Sequence, residues 1–180
     1  MPIKIDNLSS RQNLPGKLTD NINRIVDVAP REHMRGLERI RLVDVISDPR
    51  LRTGTANNLP GLYHPKQGAQ AAWLEIALDV LLPNSTTFYK RWAARLSFKS
   101  NLAAVIFSLI GQHYLLTLRH SVKKGQFEQS VRAYTEKHLK KWSENEHTVR
   151  SRLFKPLQPT LEKWARALQK KAKAQKKGQA

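Results

Sequence analysis

Residues 99–124, KSNLAAVIFSLIGQHYLLTLRHSVKK, form the longest apolar segment of the chain, and the rest is arranged around it. Residues 102–110 are apolar almost all round, as expected of a helix buried on most sides. Arg119, His120, Lys123 and Lys124 crowd its last turns, where cations oppose the negative helix end, and Gly125 is a natural residue just beyond. The segment is therefore expected to be the central core helix. His113, on such a helix, is first of all expected to be a hydrogen-bonded core residue.

Upstream, residues 1–18 are polar, with Pro2, Pro15 and Gly16, and are expected to form a flexible arm. Residues 19–28 have Ile22, Ile25 and Val26 on one helical face. Pro30 fits the first turn of another short helix over 31–37, because proline loses no needed N–H there. The β-branched run IRLVDVI, residues 40–46, reads as a strand, and Pro49 and Gly54 break the polar span after it. A turn at Leu59-Pro60-Gly61 leads into a short extended piece at 62–64. Residues 73–82, WLEIALDVLL, alternate as a strand would, although Leu74, Leu78 and Leu81 also suit a helix. The strand is preferred because it sets Glu75 and Asp79 opposite the apolar set, on the solvated face of an edge strand.

Downstream, a helix is expected over 86–97, with a break near Phe98 before the core helix, and another over 126–142 with Phe127, Val131, Tyr134, His138 and Trp142 on one stripe. A last helix opens at Pro159 and Thr160, shows Leu161, Trp164 and Leu168 as its apolar edge, and dissolves into KKAKAQKK. The expected fold class is α+β: a helix-rich single domain with a small antiparallel sheet from about residue 40 to 82, a buried central helix and further helices. Three parts follow, namely the arm at 1–18, a globular domain at 19–156 and a basic helix and tail at 157–180.

The chain has 180 residues, 40% of them hydrophobic, which suffices for one domain with a proper core. It has no cysteine, which excludes disulfides and thiolate-ligated zinc. The first residues lack the apolar core of a secretory signal, and no run of about 18 apolar residues is present to span a bilayer. A cytoplasmic protein without membrane insertion is the expectation. Against 14 acids stand 32 Lys and Arg, a net charge of +18 that favours anionic partners.

The order of elements resembles compact zincin-type zinc metallopeptidases: a leading helix, a few strands, a buried active helix, then a second helix supplying a third ligand. The Pro60-Gly61-Leu62-Tyr63 turn before the strand and Ile110-Gly111 inside the long helix are similar too, and the likeness covers roughly residues 28–142. In such families H-E-x-x-H places two histidines on one helix face to hold zinc, with the glutamate activating water. Alignment on Ile110-Gly111 puts Ser108, Leu109 and Gln112 where the first histidine, the glutamate and the second histidine would stand. The resemblance thus implies a scaffold with a degenerate metal motif.

The residual metal candidates are His113, directly after the second ligand position, and Glu128, where such families place an acidic third ligand. His113 and His120 share a face but lie about 10.5 Å apart along a helix, too far to bind one ion together. Glu128 is also the carboxylate that a helix first turn favours. Ser108 and His113, five apart, point about 140° apart and do not pair as nucleophile and base. No nucleophile elbow, phosphate loop or dinucleotide fingerprint is present. No catalytic residue, metal ligand or cofactor is therefore assigned.

The charge is concentrated: residues 150–180 hold ten basic residues and one acid, a net of +9, as much as residues 1–149 together. Lys163, Arg166, Lys170, Lys171, Lys173, Lys176 and Lys177 fall within fifteen residues and are the candidates for nucleic-acid contact. Binding through them to nucleic acid or another polyanion is expected to be sequence-independent and salt-sensitive. Trp164 is expected to pack on the domain. The leading expectation is a non-catalytic, zincin-like binding or regulatory protein. An active zinc hydrolase with a site at His113 and Glu128 is the alternative, and a protein-binding accessory factor the third.

Overall fold

The computed structural model describes residues 3–12, 14–47, 59–83, 88–117 and 124–154. The chain divides into two compact units, Met1–Lys141 and Trp142–Ala180. The first is an α+β domain with elements in the order β1 (Lys4–Asn7), α1 (Leu18–Val26), β2 (Leu37–Val43), β3 (Gly61–His64), β4 (Ala72–Ala77), α2 (Leu78–Leu81), α3 (Phe88–Thr117) and the start of α4 (Phe127–Phe154). The described part of the second unit is the remainder of α4. No helix among the described residues is long and apolar enough to cross a membrane.

The four strands form one sheet in the order β1-β2-β4-β3. β1 and β4 both run parallel to β2, and only β3 is antiparallel to its neighbour β4. The sheet is therefore mixed, where the sequence suggests an antiparallel one. The parallel pairs follow from connections long enough to carry the chain back across the sheet, the first of them containing α1.

Register assigns the two faces of the sheet. Ile40 pairs with Leu74 and Leu42 with Ile76, while Tyr63 pairs with Leu74 and Gly61 with Ile76, so all six share one face. That face meets α3: a Cβ on Gly61 would lie 2.8 Å from Val105 and 2.9 Å from Leu109. Ile22 and Ile25 of α1, the four aliphatic strand residues, and Leu102, Ile106, Phe107 and Ile110 of α3 form the fully buried core. Burial of each such side chain contributes about 1.5–3 kcal/mol.

Residues 4–7 are a strand rather than part of a flexible arm. A four-residue strand with Lys4, Asp6 and Asn7 has no apolar run to announce it, and its order comes from partners. Asp6 lies 3.4 Å from Lys4 and 3.7 Å from Arg39, and the Leu8 N–H donates to the Leu42 carbonyl at 2.9 Å. The hydroxyls of Ser9 and Ser10 both donate to the Asp44 carboxylate, the latter at 2.6 Å. These bonds, with the Ser10 N–H, hold the Asp44 carboxyl below its usual range. Arg11 then bridges to Asp79 at 2.7 Å and to the Leu82 carbonyl at 2.6 Å.

Four expectations about helices change. The strand read over 73–82 stops at Ala77, and one helical turn follows in which Leu78 and Leu81, three apart, are both buried. The expected break near Phe98 is absent, because Phe98 is itself buried and α3 runs unbroken for 30 residues, about 45 Å. α4 continues past Trp142 to Phe154. Near the start of the domain, Pro30 stands just before the 3₁₀ turn Arg31–Met34 with an extended backbone, rather than opening an α-helix to 37.

Candidate functional site

α3 brings Tyr63 of β3 and the loop before β2 to opposite sides of one imidazole. His113 is 1% exposed, with Nε2 3.0 Å from the Arg35 main-chain oxygen and Nδ1 3.1 Å from the Tyr63 hydroxyl. A carbonyl only accepts, so Nε2 carries the proton and donates to it. Burial holds the ring's pKa below the ordinary histidine value, so the ring is neutral, and Nδ1 accepts from the Tyr63 O–H. Burial raises the Tyr63 pKa, which keeps that proton in place. Both ring nitrogens are thus engaged within the protein, and no lone pair is left for a metal.

A cleft of about 430 Å³ lies between α3 and α4, lined by Ser108, Gln112, Phe127, Glu128, Val131, Arg132, Thr135 and Glu136. Ser108 and Gln112 are four apart in sequence and so share one face of α3. Glu128 reaches the same space from the first turn of α4. Ser108 and Gln112, which the resemblance aligns with the two histidines, and the candidate third ligand Glu128 are therefore neighbours on one cleft. His113 does not line it, so the metal candidates His113 and Glu128 are not brought together. Leu109, which the resemblance aligns with the glutamate, is buried toward β3.

The donor set does not fit zinc. Zinc in proteins is held by thiolate, imidazole and carboxylate, and of Ser108, Gln112 and Glu128 only the last qualifies. Among the described residues no group of three or more His, Cys, Asp or Glu is placed to hold a metal. The hydroxyl and amide offer neutral hydrogen bonds beside apolar Phe127 and Val131. Arg132 is paired with Glu136 at 3.0 Å on the exposed side of α4. Such a lining offers hydroxyl, amide and carboxylate groups to a small polar ligand.

Gly111 has a packing role in the same region. A Cβ there would lie 2.9 Å from the Tyr134 ring, so glycine lets α3 and α4 approach. Tyr134 belongs to a cluster that the linear sequence scatters. His33 sits 3.9 Å from Tyr114 between ring centroids, its Nδ1 is 3.0 Å from the Tyr134 hydroxyl, and His138 is 4.3 Å from Tyr134. Burial lowers the pKa of both His33 and His138, and burial raises that of Tyr134. Neighbouring Lys137 and Lys141 add to the effect on His138, whose Nδ1 is buried without a hydrogen-bond partner. The amphipathic stripe of α4 announces Tyr134 and His138, but nothing local ties them to His33.

The opposite face of the sheet carries a second polar cluster. Glu75, expected on the solvated face of an edge strand, is 8% exposed on a strand inside the sheet, because β3 adds beyond β4. Its carboxylate accepts from His64 Nε2 at 2.9 Å. His64 stacks on Trp73 at 3.6 Å with the rings 3° from parallel, and the Arg41 guanidinium lies 4.4 Å from the same indole. Contacts of this kind tie three strands together at about 0.5–2 kcal/mol each. The Trp73 ring is thereby engaged within the sheet.

The nucleic-acid candidates Lys163, Arg166, Lys170, Lys171, Lys173, Lys176 and Lys177, like His120, lie outside the described residues. No family model, curated protein or solved structure matches the chain.

Proposed function

We propose that this protein is a non-catalytic binding or regulatory module on a zincin-like scaffold, and that it contacts nucleic acid through its basic surface. The observation that supports the first part best is the meeting of Ser108, Gln112 and Glu128 on one cleft. A helix–helix cleft lined at these positions by groups that do not hold zinc is what loss of a metal site would leave. Leu109 supports the same reading, since an aliphatic side chain packed toward the sheet cannot activate water.

The second part rests on charge. A net +18 over 180 residues gives a field that concentrates polyanions, and half of the excess lies in the last sixth of the sequence. Binding of the full chain to random-sequence DNA or RNA, followed by fluorescence anisotropy as salt is raised, tests this. The expected result is measurable binding at low salt, with log K falling linearly against log salt at a slope of about −0.7 to −0.9 per phosphate neutralised. No binding at low salt would remove the nucleic-acid arm.

A further inference from the structure

The cluster of His33, Tyr114, Tyr134 and His138 joins three segments, namely the turn Arg31–Met34, α3 and α4. The His33 ring lies 3.9 Å from Tyr114 of α3, and its Nδ1 is 3.0 Å from the Tyr134 hydroxyl of α4. His138, one helical turn beyond Tyr134, packs 4.3 Å from that ring, 5.8 Å from Phe107 of α3 and 6.2 Å from His33. Two imidazoles thus sit where the turn meets both helices.

The two rings respond differently to a proton. His33 is half-exposed, and a proton on its Nδ1 reverses the bond to Tyr134, whose oxygen then accepts. His138 is 5% exposed, and its Nδ1 has no hydrogen-bond partner among the described residues. The neutral ring leaves one lone pair idle there. The imidazolium would place a charged N–H without an acceptor in a buried site. His113 differs, because the Arg35 carbonyl and the Tyr63 oxygen can both accept from its charged form.

The surrounding charges add to the cost. Lys137 and Lys141 act on His138, as does His33 once charged, and Lys137 and Glu32 act on His33. Among these neighbours Glu32 is the one carboxylate, and it acts on His33 from the turn; Glu136 of α4 is paired with Arg132. Tyr114 and Tyr134 face the cluster too, and a phenol carries no charge in acid. Charging is relieved when His138 reaches water, and Tyr134, one turn away on the same helix, moves with it.

We propose that His33, Tyr134 and His138 form an acid-released latch: in mild acid the Arg31–Met34 turn and residues 134–138 of α4 part from each other and from α3 while the sheet stays folded. The aliphatic core of that sheet, Ile40, Leu42, Leu74 and Ile76, holds no titratable group.

Hydrogen exchange of the full chain, read by mass spectrometry at about pH 7.5 and about pH 5 and corrected for the intrinsic rate, tests the latch. Peptides over 31–36 and 131–141 are expected to lose protection about tenfold or more. Peptides over Leu37–Val43 and Ala72–Ala77 are expected to keep theirs. His138→Phe, uncharged and similar in shape, is expected to remove most of the loss, and the imidazole C–H resonances of the parent to show His138 titrating below 6.5. Unchanged protection in acid, or a loss spread evenly over the sheet, would overturn the latch. So would a loss of the same size in His138→Phe. Should that variant not fold, titration of His138 in the parent at or above 6.5 overturns the latch without it.

Discussion

His113 donates its Nε2–H to the main-chain carbonyl of Arg35, seventy-eight positions earlier, at 3.0 Å. With Tyr63 donating to the other nitrogen, the imidazole joins the central helix, strand β3 and the approach to β2. At this position it is a structural crosslink.

Replacing His113 with leucine takes the partner from the Arg35 carbonyl and from the buried Tyr63 hydroxyl. The expected loss is about 2–4 kcal/mol, read as a fall in the urea midpoint. Tyr63→Phe removes one bond and leaves Nδ1 unpaired, and is expected to cost about 1–2 kcal/mol. Equal stability of parent and His113→Leu would refute the crosslink.

Stability should fall on mild acidification. His33, His113 and His138 all have folded-state pKa values below 6.5, chiefly through burial. As pH drops below 6.5 the unfolded chain takes up protons that the folded chain does not, so stability falls down to the lowered folded pKa values. The slope approaches about 1.4 kcal/mol per pH unit for each fully buried histidine, and is smaller for half-exposed His33. Asp44 acts separately: its folded pKa is depressed below 3.8, so its contribution is present above that value and disappears in stronger acid. Chemical denaturation between pH 7.5 and about 5 checks the first window, and a flat profile would contradict it. His138→Gln should reduce the slope.

Two glycines mark close approaches. At Gly61, alanine would press on Val105, Leu109 and the Glu75 carbonyl oxygen 3.1 Å away, and is expected to destabilise by about 1–3 kcal/mol. At Gly111, alanine gains about 1 kcal/mol of helix propensity but displaces the hydrogen-bonded Tyr134 ring, for a smaller net loss. Thermal unfolding of both variants should place Gly61→Ala lower, and a Gly111→Ala protein more stable than the parent would show that Tyr134 has room to move.

The parts of this fold that could be read in advance are those whose own residues carry the signal. α1 shows Leu18, Ile22 and Ile25 at helical spacing, and the core of α3 shows an apolar run too long to leave exposed. β1 has no such signal, since its order derives from Arg39, Asp44 and Asp79 in distant segments. Glu75 looks solvated because alternation assigns a face but not a neighbour, and β3 is the neighbour. At the cleft, spacing alone joins Ser108 to Gln112, whereas Glu128 joins them only through helix packing. His33 has no counterpart nearby, and its cluster with Tyr134 and His138 exists only in three dimensions.

The N-terminal lacing can be cut at one residue. Arg11→Ala removes the Asp79 ion pair and the bond to the Leu82 carbonyl. The expected effect is about 1 kcal/mol globally, with faster amide exchange concentrated in Lys4–Asn7. Exchange that rises uniformly across the domain would indicate that Arg11 is not the staple of β1.

Zinc stoichiometry in a variant that places histidines in the cleft tests the proposed scaffold most directly. Ser108→His combined with Gln112→His, with Glu128 opposite, should bind about one zinc per chain, and Glu128→Gln in that background should weaken it at least about tenfold. The parent, purified without chelator or metal-affinity tag, should carry almost none. Stoichiometric zinc in the parent, or none in a folded double variant, would contradict the account of the cleft as a vacated metal site.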